Sequence, residues 1–410
     1  MFSISALPHK LTVNSVLPVF CLILLSCGQV LDNSKNENAD SSISVRTSEI
    51  MDTMFVDGFD YPVGNKDGKG EYVSKTDGRT YKSWYIATDF AENYSLGIHP
   101  GIDMNGSGGG NTDLAQPVYS IARGIVETAA DFGKPWGHIV TVKHKYLRNG
   151  KVYICYSVYA HLEGLKVKKG DRINKRTTIG EIGTGGGSYP AHLHLEIRKN
   201  SMANFDTDYW PSSNSKDADW VKDHYEHPKK FIDSHRKLTA PYKENQFIIA
   251  SKKEYALYFY QKGKLSGQYE IALSQNPNGH KEREGDLKMP EGEYYICEKQ
   301  KGPFYGNYAE FLGPRLLRIS YPNSFDAEYA FNKGLITKAE KEKITSAIRN
   351  RAIPTKSTKL GGGIVIHGWK GDWTANGRQN LTWGCISMHN NDLESFYDKV
   401  KLNTIIHIIP

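Results

Sequence analysis

His192-Leu193-His194-Leu195-Glu196-Ile197 alternates polar and apolar residues without a break. In an extended chain successive side chains point to opposite faces, so His192 and His194 share one face while Leu193, Leu195 and Ile197 pack on the other. The segment predicts a β-strand with core on one side and chemistry on the other. Around it, from Tyr85 to Arg198, short β-rich runs broken by glycine recur, such as Ile139 to Val142 and Tyr153 to Tyr159, with almost no helical periodicity. A mostly antiparallel sheet is expected.

Beyond this region Tyr209 to His235 contains helix-compatible stretches, and Leu238 to Asn245 reads as a linker. A second β-rich region begins at Gln246. It holds one amphipathic helix, Lys338 to Arg351, stopped by Pro354 and Gly361-Gly362-Gly363. No repeat of solenoid or propeller period is found. The fold class is therefore mainly β with minor helices, and 410 residues leave room for two cores. The glycine cluster Gly106 to Gly110 lacks a following Lys-Ser/Thr and opens no helix, so it reads as a loop and not as a phosphate cradle.

The formal net charge of +7 suits contact with an anionic polymer such as cell wall. No dense basic run of the kind nucleic-acid binding needs is present, which argues against that class. Near the start, Lys10 precedes an apolar stretch from Val16 to Leu25, followed by the polar segment Asp32 to Ser42. The stretch is too short to span a bilayer and reads as an export signal. Its ending, Leu24-Leu25-Ser26-Cys27, resembles the bacterial lipoprotein signal. That resemblance implies acylation of Cys27 and a cell-envelope location on the periplasmic side of the outer or inner membrane. An ordinary cleaved signal with an incidental cysteine is the alternative. Cys155 and Cys297 sit in strand-like runs and read as buried thiols.

Two groupings carry chemistry. In Gly97-Ile98-His99-Pro100-Gly101-Ile102-Asp103 an imidazole and a carboxylate lie four residues apart, and His161 adds another imidazole in Tyr159-Ala160-His161-Leu162. Two histidines and an aspartate drawn from these residues and the His192/His194 strand could hold zinc tetrahedrally, leaving one position for water. His138 and His144 also share a strand face and read as surface residues. The stretch from Gly97 to Arg198 resembles the LytM/lysostaphin-type zinc endopeptidases throughout, including Gly124-Ile125-Val126, Trp136-Gly137-His138, Val167-Lys168-Lys169-Gly170-Asp171 and Gly183-Thr184-Gly185. The resemblance implies that His99, Asp103 and His194 bind Zn2+. It makes His161 and His192 the non-ligand catalytic histidines. It also implies a substrate, the peptide cross-bridges of peptidoglycan. Relatives that have lost ligands act as activators of other wall enzymes, so a non-catalytic scaffold is the competing reading.

The second grouping is Ile364-Val365-Ile366-His367-Gly368, with Cys385 eighteen residues after the histidine in Thr382-Trp383-Gly384-Cys385-Ile386-Ser387-Met388. A free thiol, with a pKa of about 8.5, needs a base to act as a nucleophile at neutral pH, and His367 can be that base. Attack on a carbonyl would give a thioester, with the backbone N–H of Cys385 or Gly384 facing the oxyanion. A buried cysteine beside an unrelated histidine would look the same in this motif alone. Residues 246–410 resemble the YkuD/ErfK-type L,D-transpeptidases. The resemblance rests on Gly285-Asp286, Pro290-Glu291-Gly292-Glu293-Tyr294-Tyr295-Ile296, Ser320-Tyr321-Pro322-Asn323 and the His367 to Cys385 core. It implies a β-sandwich-like domain that acylates Cys385 with a peptidoglycan stem peptide at the L-centre of its diamino acid and passes the acyl group to an amine or to water. Many members carry His where this chain has Trp383 and Arg where it has Ser387. The expected organisation is a lipoprotein signal peptide at 1–26, a polar tether at 27–50, the zinc endopeptidase domain at 51–237, a linker at 238–245 and the transpeptidase domain at 246–410.

Overall fold

The computed structural model describes residues 54–94, 97–200, 217–370 and 380–410. Cys27, the leader and the whole tether lie outside the described residues. Among the described residues the chain is mainly strand, with five helices, none long and apolar enough to cross a membrane.

Six strands make the backbone of the first sheet: β1 (Trp84–Thr88), β2 (Ile102–Gly106), β3 (Gly124–Asp131), β4 (His138–Arg148), β5 (Lys151–Glu163) and β6 (Leu193–Lys199). They lie in the order β3-β4-β5-β6-β2-β1, every neighbouring pair antiparallel. On β2 burial alternates, with Ile102 and Met104 in the core. Leu193, Leu195 and Ile197 of β6 join them in the same cluster with Val140 and Val142. Each such side chain contributes about 1.5–3 kcal/mol when fully buried, and together they hold the register that sets His194 opposite Asp103 and Leu195 opposite Ile102.

The surface reading of His144 is wrong. Its ring is fully buried, with Nδ1 2.7 Å from the Arg123 carbonyl and Nε2 2.7 Å from Ser157 Oγ, and it packs edge-on to Phe59. A histidine with a partner on each nitrogen can replace an apolar residue inside a sheet, which period-two reasoning cannot foresee. His138 is half-buried, its Nδ1 facing the Leu162 carbonyl at 3.2 Å. Cys155 is a buried free thiol, and Cys297 is free and half-buried.

Two short helices follow the first sheet, α1 (Ala218–His224) and α2 (Pro228–Ser234). The second sheet comprises β7 (Gln246–Ser251), β8 (Ala256–Gln261), β9 (Lys264–Ser274), β10 (Gly292–Lys301), β11 (Arg315–Ile319), β12 (Val365–His367), β13 (Asn380–Thr382), β14 (Ile386–Met388) and β15 (Ile405–Ile409). Its order is β8-β7-β15-β10-β11-β12-β14-β9-β13, and β8 also pairs with β9. The expected sandwich-like domain is thus one sheet closed on itself into a barrel, which leaves no free edge on the strands of the ring. Helices α3 (Ser324–Asn332), α4 (Lys338–Arg349) and α5 (Asn390–Lys399) complete it. Helix α4 opens on a Thr337/Glu340 capping box.

The 238–245 stretch is a packed strap. Ala240 is buried in a cluster that joins Phe55 and Leu147 of the first half to Phe247, Ile249 and Tyr258 of the second. Arg123 stacks over the Tyr242 ring at 3.9 Å, and Thr239 Oγ1 donates to Glu293 Oε2 at 2.8 Å. At the tip of the β4–β5 hairpin, Gly150 has φ +70°, and a Cβ there would come within 2.1 Å of the Gly292 nitrogen. Only glycine allows so close an approach.

Burial pushes the His144 pKa down to about 4. The neutral ring stabilises the fold fully above the unfolded value of about 6.5, and this contribution, roughly 3 kcal/mol at most, is lost as pH falls through 4. A His144→Gln variant is therefore expected to be less stable at pH 7.5 and to lose melting temperature less steeply between pH 6.5 and 4.5, as read by calorimetry.

Candidate active sites

In the first sheet, cross-strand register delivers two of the side chains and a loop delivers the third. Asp103 on β2 and His194 on β6 are direct antiparallel partners, and His99 comes from the turn just before β2. His99 Nε2, Asp103 Oδ1 and His194 Nδ1 form a triangle with edges of 2.9, 3.0 and 3.1 Å. Tetrahedral zinc with bonds near 2.05 Å sets its ligands roughly 3.3 Å apart, so this triangle needs to open by only a few tenths of an ångström. Of all His, Cys, Asp and Glu side chains among the described residues, these three alone meet the geometry of a metal cluster.

The far nitrogen of each imidazole is held. His99 Nδ1 donates to the Asp89 carbonyl (3.1 Å), and His194 Nε2 faces Glu196 Oε1 (3.2 Å). Those bonds leave His99 Nε2 and His194 Nδ1 as the lone pairs aimed at the common point, the arrangement by which outer partners orient metal ligands. Glu196 is fully buried and receives Arg198 Nε at 2.8 Å on its other oxygen. Burial disfavours charge on these groups, yet Asp103 and Glu196 together raise His194 to about 9, and Asp103 is held well below the carboxylate range by His194 and His99. A proton on His194 therefore supplies the positive charge that joins the three atoms, and a divalent cation held by the same atoms would take its place.

His161 and His192 border the triangle. Their rings lie 4.7 Å apart, and His192 Nε2 is 3.8 Å from Asp103 Oδ1. His161 sits where the β4–β5 register shifts, with φ +63°, so a bulge turns its ring toward the site. Its Nδ1 is buried and makes no hydrogen bond, and burial pushes its pKa down to about 3. The ring is therefore neutral at pH 7. The rings of Trp136 and Tyr189 flank it.

In the barrel, β12 and β14 run parallel with Ile366 opposite Ile386 and His367 opposite Ser387. Cys385 immediately precedes β14, and the Val365 N–H points at its sulfur. Val365 and His367 are two apart on β12 and share a face. Gly384, at φ +136°, turns the chain where a Cβ would meet the Lys288 carbonyl at 3.0 Å. Thr382 Oγ1 ties this turn by donating to the Cys385 carbonyl at 2.6 Å. His367 Nδ1 donates to the Phe311 (2.9 Å) and Gly368 (2.6 Å) carbonyls, leaving Nε2 as the free base. Ser387, where many relatives of the resembled family carry Arg, is fully buried and donates to that same Gly368 carbonyl at 2.9 Å. It buttresses the histidine. Burial raises the Cys385 thiol, with Val365 and Lys281 pulling it back, and burial pushes His367 down to about 4. The resting pair is thus neutral thiol and neutral imidazole.

The sequence reading passed over Glu196, although it stands two residues after His194 in the same alternation. It also passed over Lys281. That buried amine donates to Asp286 Oδ1 (2.8 Å), and Asp286 accepts the Lys288 N–H (3.1 Å), holding the loop that backs Gly384.

Residues 97–205 match the model of peptidase family M23, and residues 245–408 match the L,D-transpeptidase catalytic domain. Among solved structures, a variant of the catalytic domain of the prophage-encoded M23 protein EnpA from Enterococcus faecalis is 20% identical, covering 33% of this chain and 89% of that one with a TM-score of 0.24. The catalytic domain of the antimicrobial peptidase lysostaphin from Staphylococcus simulans is 20% identical over 36% of this chain and 90% of its own, with a TM-score of 0.24. The helical cell shape determining protein Pgp2 from Campylobacter jejuni is 24% identical over 40% of this chain, with a TM-score of 0.28. The chain spans less than half, 46%, of that protein's length. No curated protein matches the chain. The two family matches support peptidase and transpeptidase activities directed at peptidoglycan.

Replacing Glu196 by Gln is expected to weaken zinc binding about 10–100-fold, the usual cost of losing an outer-shell carboxylate. Competition against a chromogenic chelator reads the affinity directly, with the melting temperature of the metal-free protein recorded alongside.

Proposed function

We propose that the chain remodels peptidoglycan at two sites, one hydrolysing cross-bridge peptides with zinc and the other transferring stem-peptide acyl groups through a cysteine thioester. The observation that carries the first half is the 2.9–3.1 Å triangle of His99, Asp103 and His194 with both far imidazole nitrogens occupied. A scaffold that only bound wall polymer would need no such convergence. When bound, zinc supplies Lewis-acid polarisation and lowers the pKa of water. The His161 imidazole accepts or returns a proton at the scissile peptide, and His192 stabilises charge on the carbonyl oxygen.

In the barrel the Cys385 proton passes to His367 Nε2 as sulfur attacks the stem-peptide carbonyl carbon at the L-centre. The amide bond then breaks, the departing amine takes the proton from His367, and the acyl group stays on sulfur as a thioester. An acceptor amine or water attacks next and gives its proton to His367, and the thiolate leaving group recovers that proton. Because thiol and imidazole both start neutral, no standing ion pair is required, and proton transfer accompanies attack.

A chelator should abolish cross-bridge cleavage and spare acylation of Cys385, whereas Cys385→Ala should block acylation and spare cleavage. Intact-protein mass after incubation with a tetrapeptide muropeptide distinguishes the two. An adduct that requires zinc, or that persists in Cys385→Ala, overturns the assignment. With His367 pushed down to about 4, acylation is expected to hold its rate from pH 8 to about 5 and to fall below that as the base protonates. The Leu24-Leu25-Ser26-Cys27 ending supports the further proposal that the protein is tethered at the cell envelope by acylated Cys27, and on that reading Cys27→Ala should leave the membrane fraction and lose the lipid mass from its N-terminal peptide.

A further inference from the structure

Three large aromatic side chains stand exposed in the barrel: Trp383 (60% exposed) next to the Cys385 turn, Tyr308 (58%) against it, and Tyr305 (88%) three residues before Tyr308. They come from two places in the sequence. Tyr305 and Tyr308 lie in the connection between β10 and β11, and Trp383 stands two residues before the cysteine. The Tyr308 and Trp383 rings meet edge to face with centroids 5.2 Å apart. A second pair continues the surface toward the base, Phe311 against Trp369 at 5.1 Å, with Trp369 6.3 Å from the His367 ring. Lys370 and Glu310 pair at 2.6 Å on its rim, and Lys370 Nζ lies 4.4 Å over the Phe311 ring.

This shelf is built into the site. The carbonyl of Phe311 accepts the His367 Nδ1 proton, and the Leu312 carbonyl accepts the Gly368 N–H at 2.9 Å, so the connection that displays the tyrosines also fixes the base. Aromatic rings left in water at the mouth of a reactive site are surfaces for a ligand.

We infer that the shelf formed by Trp383 and Tyr308 binds the sugar rings of the glycan strand to which the stem peptide is attached, so that the thiol site selects glycan-linked peptide over free peptide. The inference rests on the thioester reading of Cys385 for its place in catalysis. Its chemistry is that of amphipathic rings. A pyranose presents a face of C–H bonds to an aromatic ring and hydroxyls at its edge, where the indole N–H, the tyrosine hydroxyls and the Lys370/Glu310 pair can meet them. Reach decides which part of the substrate arrives there. The acylated centre is the third residue of the stem, so the sugar lies roughly 10 Å from the sulfur along an extended chain of three residues. The Trp383 backbone is at most about 7 Å from that of Cys385, and its side chain reaches further out. The first two stem residues fill the nearer distance, leaving the shelf to the saccharide.

Two measurements test this. Peptide-free oligosaccharides of the wall glycan are titrated calorimetrically into the wild-type chain, Trp383→Ala and Tyr308→Ala. Saturable binding by the wild type that weakens at least tenfold in both variants is expected. Acylation of Cys385 is then followed by intact mass with free tetrapeptide and with disaccharide tetrapeptide. The sugar should lower the half-saturating concentration about tenfold in the wild type, and that ratio should fall to about one in Trp383→Ala. Absent glycan binding, an unchanged ratio in the variant, or an equal loss on both substrates would overturn the inference, the last showing that the rings pack against peptide. If neither substrate forms an adduct on the wild type, the thioester reading fails instead, and the calorimetric arm still decides whether the shelf holds sugar.

Discussion

His99 Nε2, Asp103 Oδ1 and His194 Nδ1 face one another at about 3 Å and stay together only by sharing a proton or a metal ion, and the first half of the chain is organised around holding them there. Two of the three groups, Asp103 and His194, are cross-strand partners, so their meeting depends on sheet register. A slip of one residue would send both to the opposite face. What prevents the slip is the apolar half of the alternation, Ile102, Met104, Leu193, Leu195 and Ile197, locked into one core. Behind the ligands, Glu196 and Arg198 bring two charges into a buried position. Such a pair is a weak source of stability in itself, and its effect here is to hold the His194 ring with Nδ1 forward.

The barrel solves a related problem without a metal. Both sites occupy one imidazole nitrogen with a fixed acceptor and leave the other for chemistry. For His194 the acceptor is a carboxylate, which raises the basicity of the ring. For His367 the acceptors are backbone carbonyls, whose pull toward the charged ring is outweighed by burial, so the ring stays neutral. His161 is neutral because burial, helped by His194 and His192, outweighs the pull of Asp103. The same side chain thus becomes ligand or base according to its partner and its solvation.

The two halves meet through a hydrophobic cluster and a strap whose polar groups are paired across the seam. Gly150 against Gly292 brings backbone to backbone there. The polymer-cutting and acyl-transferring sites proposed here would therefore travel together on the wall, each with its own chemistry.

Much of this was legible in the sequence. Alternation at 192–197 announced the strand and its polar face, whereas His99, Asp103, His367 and Cys385 stood out only through the resemblance to two families, since either spacing alone also arises by chance. What stayed hidden depended on partners far away along the chain. Ser387 read as a missing arginine until its hydroxyl was found under the Gly368 carbonyl, and Glu196 had a place in the alternation but no role until His194 lay against it. His144 looked like a surface residue because alternation tells which residues share a face and is silent on what covers that face; Arg123 and Ser157, brought in by folding, cover this one. The closure of the second sheet into a barrel likewise rests on the pairing of β8 with β9. The sequence alone determined residue type and facing, since both follow from local geometry. Tertiary structure alone decided protonation, orientation and closure, since each is set by hydrogen bonds and burial contributed by distant segments.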